Sequence, residues 1–130
     1  MPDPIPTGLP EPAQPFSWAT RAGGLMFTAH GPVDETGAIA GDDIAGQARL
    51  TFANLAKAVA AAGARLDDVA QVLLYMADAA DMPAIDAEYR KVFRAPYPNR
   101  ASVAVAGFAH PRMRIELAAY VALPAPAARA

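Results

Sequence analysis

Residues 69–78 read "VAQVLLYMAD", and this stretch decides the fold. Val72, Leu73, Leu74, Tyr75 and Met76 are apolar in succession, without the in-and-out alternation of a half-exposed strand. A strand of that kind is covered on both faces. Upstream, from about Asp42 to Ala62, Ile44, Ala48, Phe52, Leu55 and Val59 recur at a roughly helical period, with Asp42 or Asp43 as cap and Gly63 as the stop. That helix should be roughly 30 Å long. Downstream, a second helix is expected from about Asp81 to Phe93, capped by Asp81, with Pro83 in its first turn and Ile85, Tyr89, Val92 and Phe93 turned inward.

Further out, strands at about Phe16–Arg21 and Leu25–His30 are joined by a tight turn at Ala22-Gly23-Gly24. Strands at about Arg100–Ala106 and Arg114–Leu123 are joined through Ala109-His110-Pro111-Arg112, as a terminal hairpin. The order ββαβαββ implies an α+β fold, a mixed sheet with two helices packed on one face. Residues 1–15 hold six prolines and read as a mobile arm, or one lying along a neighbour; 16–123 form a single domain and 124–130 a tail. Two helices cover only one face, yet "VLLYM" and "IELAAYVAL" are apolar on both. A second copy of the chain is the expected cover, so the pattern predicts a homo-oligomer.

Composition narrows the function. Lys plus Arg number 11 against 13 Asp plus Glu, a formal net charge of −2, and no basic block offers a polyanion a surface, so nucleic acid is not an expected partner. The chain has no cysteine, which removes thiolate chemistry and suits a reducing cytoplasm. No apolar run approaches the ~20 residues of a membrane span, and the N-terminus lacks the pattern of a signal peptide. The two histidines, His30 and His110, share no ligand spacing and sit in no ligand motif, so a metal site is not expected.

One residue stands out chemically. Arg100 keeps its charge at any accessible pH and leads an apolar strand, so if it points inward it needs an anion. Glu116, between Ile115 and Leu117, lies in the strand expected to pair with it. Two readings stay open: an ion pair closing the hairpin, or a site in which Arg100 offers its donor fork to a ligand carboxylate while Glu116 handles a proton or a water. Ser102 shares the face of Arg100 and suits hydrogen bonding; it lacks triad partners. His30 beside Gly31-Pro32 suits a capping or surface position, and His110 an exposed turn. Phe16, Trp18, Tyr97 and Phe108 read as packing residues that could also line a pocket at a subunit seam.

At these residues the sequence resembles the RidA/YjgF family of reactive-intermediate (imine/enamine) deaminases. The resemblance runs from about Phe16 to Val121 and rests on Gln47, Asn54-Leu55, Ala62-Gly63, Asp67-Asp68-Val69 and Tyr89, then on "PNRASVAVAGF" and "RIELAAYVA". It implies a chorismate-mutase-like fold and a trimer whose sheets face one another, with clefts between subunits. It further implies that Arg100 grips a substrate carboxylate, that Ser102 adds hydrogen bonding, that Glu116 serves the hydrolytic water and that Phe16 lines the cleft in place of a tyrosine. His30 stands where the family has a glycine close to the ligand, so its side chain is expected to reshape the pocket. The implied activity is cofactor-independent hydrolysis of 2-imino or enamino acids to 2-keto acids and ammonia. The alternative is a non-catalytic module that binds a small carboxylate in the same cleft; ribonuclease activity ranks below both.

Overall fold

The computed structural model describes residues 1–125; most of the tail expected at 124–130 therefore lies outside the described residues. Six strands form one sheet: β1 (Asp3–Pro4), β2 (Ala19–Ala22), β3 (Leu25–His30), β4 (Val69–Met76), β5 (Asn99–Ala104) and β6 (Ile115–Ala122). Two helices, α1 (Ile44–Ala61) and α2 (Met82–Val92), interrupt them. The spatial order is β1-β2-β3-β6-β4-β5. All pairings are antiparallel except β4 with β5, which run parallel across the α2 connection.

The two helices rest on one face, as the periodicities predicted. The buried row of α1 includes Ile44, Ala48, Phe52, Leu55 and Val59, and that of α2 includes Ile85 and Tyr89. They meet the inward rows of the sheet, Val72, Leu74 and Met76 from β4 and Ile115, Leu117, Ala119 and Val121 from β6. The Asp43 carboxylate accepts a hydrogen bond from the Gly46 N–H at 2.7 Å, which starts α1. Gly63 ends it at φ +78°, a conformation that suits glycine.

Three expectations need correction. The terminal hairpin does not form: β6 inserts between β3 and β4, which leaves β5 at the sheet edge. The reason is burial, since β6 carries an unbroken apolar inner row and is best satisfied at the centre, whereas Ala101–Ala104 of β5 are exposed. The N-terminal segment is not a loose arm. Asp3 and Pro4 pair with Arg21 and Thr20, Ile5 joins the core, and the Trp18 indole donates to the Pro10 carbonyl at 2.7 Å. Asp81 precedes α2 without capping it through its side chain; its carboxylate instead accepts two bonds from Arg114 Nη2, at 2.9 and 3.0 Å.

The other sheet face has no cover from the described residues. Leu25, Phe27 and Val103 are exposed, and Phe27 meets Tyr120 edge-on at 5.3 Å.

Because Ile5 is only 8% exposed, Ile5→Ala should lower unfolding free energy by about 2 kcal/mol in a urea titration. An unchanged midpoint would mean that the segment contributes nothing to the fold.

Candidate active site

Glu116 is the second residue of β6, and both its neighbours, Ile115 and Leu117, are wholly buried among the helices. Alternation therefore turns its carboxyl away from the core. It reaches a cavity of about 600 Å³ lined also by Phe16, Trp18, Gly31, His110 and Arg112, with residues 10–14 along its rim. Desolvation pushes the Glu116 carboxyl above the usual range, so it holds a proton more readily than an exposed glutamate.

Two polar residues on the buried stripe of α1 fix this cavity. The Gln47 amide donates to the Arg112 carbonyl and accepts from the Arg114 N–H, both at 2.8 Å, which pins the chain entering β6. Asn54 donates to the carbonyls of Gly31 and Val33, at 3.0 and 2.8 Å, and so holds the chain leaving β3. Gly31 sits close against Met113; a Cβ there would lie 2.7 Å from the Met113 Cε. The periodicity reading passed over this positioning work. Its signal was available: two amide side chains, seven residues apart, on a face that is otherwise apolar except for Thr51.

Arg100 lies elsewhere. It pairs with Val72 in register, hence on the helix-bearing face, at the exposed edge of the sheet. Its Nη1 contacts Asp86 Oδ1 of α2 at 2.9 Å, and its guanidinium carbon stands 4.6 Å from the centroid of the Tyr89 ring. Tyr97 and Pro98 complete a pocket of about 220 Å³. Ser102 follows on the same face and is exposed. The pairing of Arg100 with Glu116 is thus corrected: β4 separates their strands, and they occupy opposite faces. The in-chain anion of Arg100 is Asp86.

His30 is neither at the surface nor in the cavity. It is 1% exposed, stacked against Trp18 at 5.8 Å, with Nε2 2.6 Å from Thr28 Oγ1. That hydroxyl already donates to the Trp18 carbonyl at 2.7 Å, and it has one hydrogen. Nε2 therefore carries the proton and donates, and Nδ1 is left buried with no partner. Charging the ring would add a hydrogen with nowhere to go. Burial accordingly lowers the His30 pKa to about 4. Phe16, by contrast, is 47% exposed at the cavity mouth, edge-on to Trp18 at 4.9 Å. His110 is exposed, as expected for its turn.

Comparison with known proteins agrees with this architecture. Residues 7–123 match the family model described as Endoribonuclease L-PSP. The 3-aminoacrylate deaminase RutC of Acinetobacter baylyi is 32% identical over 116 residues, 88% of this chain and 91% of that protein. The 2-iminobutanoate/2-iminopropanoate deaminase of Dermatophagoides farinae is 30% identical over 99 residues, 75% of this chain and 77% of the other. The crystal structure of E. coli TdcF with bound serine superposes with a TM-score of 0.85 at 29% identity, covering 94% of this chain and 99% of that one.

His30 gives a pH dependence whose sign follows from its lowered pKa. Its contribution is complete above the unfolded value near 6.5 and is lost as pH falls toward about 4, because only the unfolded chain takes up the proton in that window. The loss should be on the order of 3 kcal/mol, read from denaturation midpoints across that range. His30→Gln should flatten this part of the profile, and an equally steep fall in the variant would assign the slope to other groups.

Proposed function

Because this chain belongs to the RidA/YjgF family, we propose that it hydrolyses 2-imino or enamino acids to 2-keto acids and ammonia, at a site shared between copies of the chain. The observation that carries this reading is the raised Glu116 carboxyl facing a cavity of about 600 Å³. A carboxyl whose hold on a proton is strengthened by partial desolvation is suited to take and return one. Relatives named for deamination of 2-iminobutanoate, 2-iminopropanoate and 3-aminoacrylate support the reaction class.

Arg100 supplies the substrate anchor. Its fork has five donors, and Asp86 contacts one nitrogen, which leaves an edge for a substrate carboxylate. An enamine first tautomerises to the imine. With the imine nitrogen already protonated, Glu116 takes a proton from water as the new C–O bond forms at the iminium carbon, which leaves a neutral carbinolamine. Glu116 returns that proton to the nitrogen, the C–N bond breaks and ammonia leaves, and the carbinol O–H proton passes to Glu116 as the carbonyl forms. Water and imine thus balance keto acid and ammonia with no redox step. Ser102 is a hydrogen-bond donor to the anchored ligand, and Phe16 packs against its side chain.

Arg100 and Glu116 lie on opposite faces of one sheet, so one chain does not bring them together. The uncovered face with Phe27, and the bare edge strand β5, are surfaces that a second copy can use. A trimer with sheets facing inward is the proposed assembly. The family description instead suggests RNA cleavage; a chain with 13 acidic against 11 basic side chains gives a polyanion little attraction, and that reading is set aside.

Arg100→Ala should reduce kcat/KM for a carboxylated imine about 100-fold or more, the value of two charge-assisted hydrogen bonds. Glu116→Gln should keep keto-acid binding and lower kcat by about 10² to 10⁴. Ammonia release from imines generated by an amino-acid oxidase measures both; binding of carboxylates without turnover in the parent protein would favour the non-catalytic module. The acidic limb of the wild-type rate profile should lie above the ordinary glutamate range, since Glu116 acts deprotonated.

The two inactive variants, unfolded, mixed and refolded together, should recover roughly a quarter of the parent activity if each site draws one residue from each of two neighbours. No recovery in oligomers shown to be mixed would place both residues in sites formed by single chains and end the shared-site reading.

A further inference from the structure

The small pocket around Arg100 holds an acid as well as a base. Asp86, on α2 and a quarter exposed, stands 2.9 Å from the guanidinium, which is itself about a quarter exposed. An ion pair at such depth is usually a closed structural contact, but this one lines an open pocket of about 220 Å³ with Tyr89, Tyr97 and Pro98. The guanidinium carbon stands over the Tyr89 ring, 4.6 Å from its centroid, so a ligand reaches the cation from the side away from that ring. A ligand carried on Arg100 by a carboxylate must therefore lie beside the carboxylate of Asp86.

For a simple anion that arrangement is unfavourable, because two negative groups share one cation. For a ligand bearing a positive nitrogen next to its carboxylate it is complementary: the carboxylate takes the free edge of Arg100 and the N–H group donates to Asp86. We infer that Asp86 is a specificity-determining residue that selects a zwitterionic ligand, a 2-iminium or 2-ammonium carboxylate, over the corresponding keto acid. This rests on the proposed deaminase reading for its use. The substrate would be held in its protonated iminium form, the more electrophilic one, and the keto acid formed when ammonia leaves would lose its partner at Asp86 and face repulsion instead. The same pair thus favours substrate entry and product departure.

Binding of alanine and pyruvate, which differ in the charged nitrogen, tests this by calorimetry on the full-length protein. In Asp86→Asn, alanine should bind about 5- to 10-fold more weakly and pyruvate about 5- to 10-fold more tightly, with melting temperature close to that of the parent. Asp86→Glu, which keeps the charge, should restore the parental order of preference. Shifts of both ligands in the same direction, or no shift in either, overturn the inference, as does an Asp86→Glu variant that behaves like Asp86→Asn. Arg100→Ala separates this from the deaminase reading: unchanged pyruvate affinity there removes the anchor and both proposals, whereas lost affinity with an indifferent Asp86→Asn removes only the selection by Asp86.

Discussion

The burial of β6 at the centre of the sheet is the constraint on which the rest of the molecule depends. Ile115, Leu117, Ala119 and Val121 present one continuous apolar row to the helices, and each is at most 1% exposed. An edge position would leave one side of that row in water, so the strand inserts between β3 and β4, even though β5 precedes it in the chain. Every consequence for the site follows from this insertion. It turns the carboxyl of Glu116 to the face away from the helices, and it displaces β5, with Arg100, to the edge.

The cavity beside Glu116 is held by hydrogen bonds rather than by apolar packing. Gln47 and Asn54 spend their amide groups on main-chain atoms of the two segments that frame the opening, the entry to β6 and the exit from β3. Because the amides sit on the buried stripe of a long helix, the geometry of the opening is tied to the rigid core. His30 works in the same region with opposite polarity. Its ring is kept neutral under Trp18, and its side chain occupies the interior where a charged group would be costly. The expected narrowing of the pocket at position 30 is absent for that reason: the side chain turns inward from the strand, and Gly31 is the residue at the cavity wall.

Arg100 shows how a charged residue at a sheet edge can combine structural and chemical roles. Asp86 and the Tyr89 ring hold the guanidinium in one orientation while leaving part of its donor fork accessible. In the selection proposed for this pocket, the Asp86 contact sets which ligand is preferred rather than closing the site. The separation of Arg100 from Glu116 within one chain gives oligomerisation a chemical role in the proposed reaction, beyond covering the apolar face.

The types and order of the elements from β2 onward were determined by the sequence alone, because these depend on local periodicity; the two-residue β1, in a proline-rich stretch, was not. Strand β3 falls on the boundaries read from it, α1 and α2 differ by a residue or two at their ends, and both the Asp43 cap and the Gly63 stop were legible in side-chain chemistry. Arg100 and Glu116 stand out in the sequence too, as charges set in apolar strands. Tertiary structure alone decided which strands are neighbours, and hence that these two residues lie apart, that Asp86 pairs with Arg100 and that His30 is buried. Adjacency in a sheet is settled by competition among all the apolar rows for the covered centre, and no single stretch of chain records the outcome.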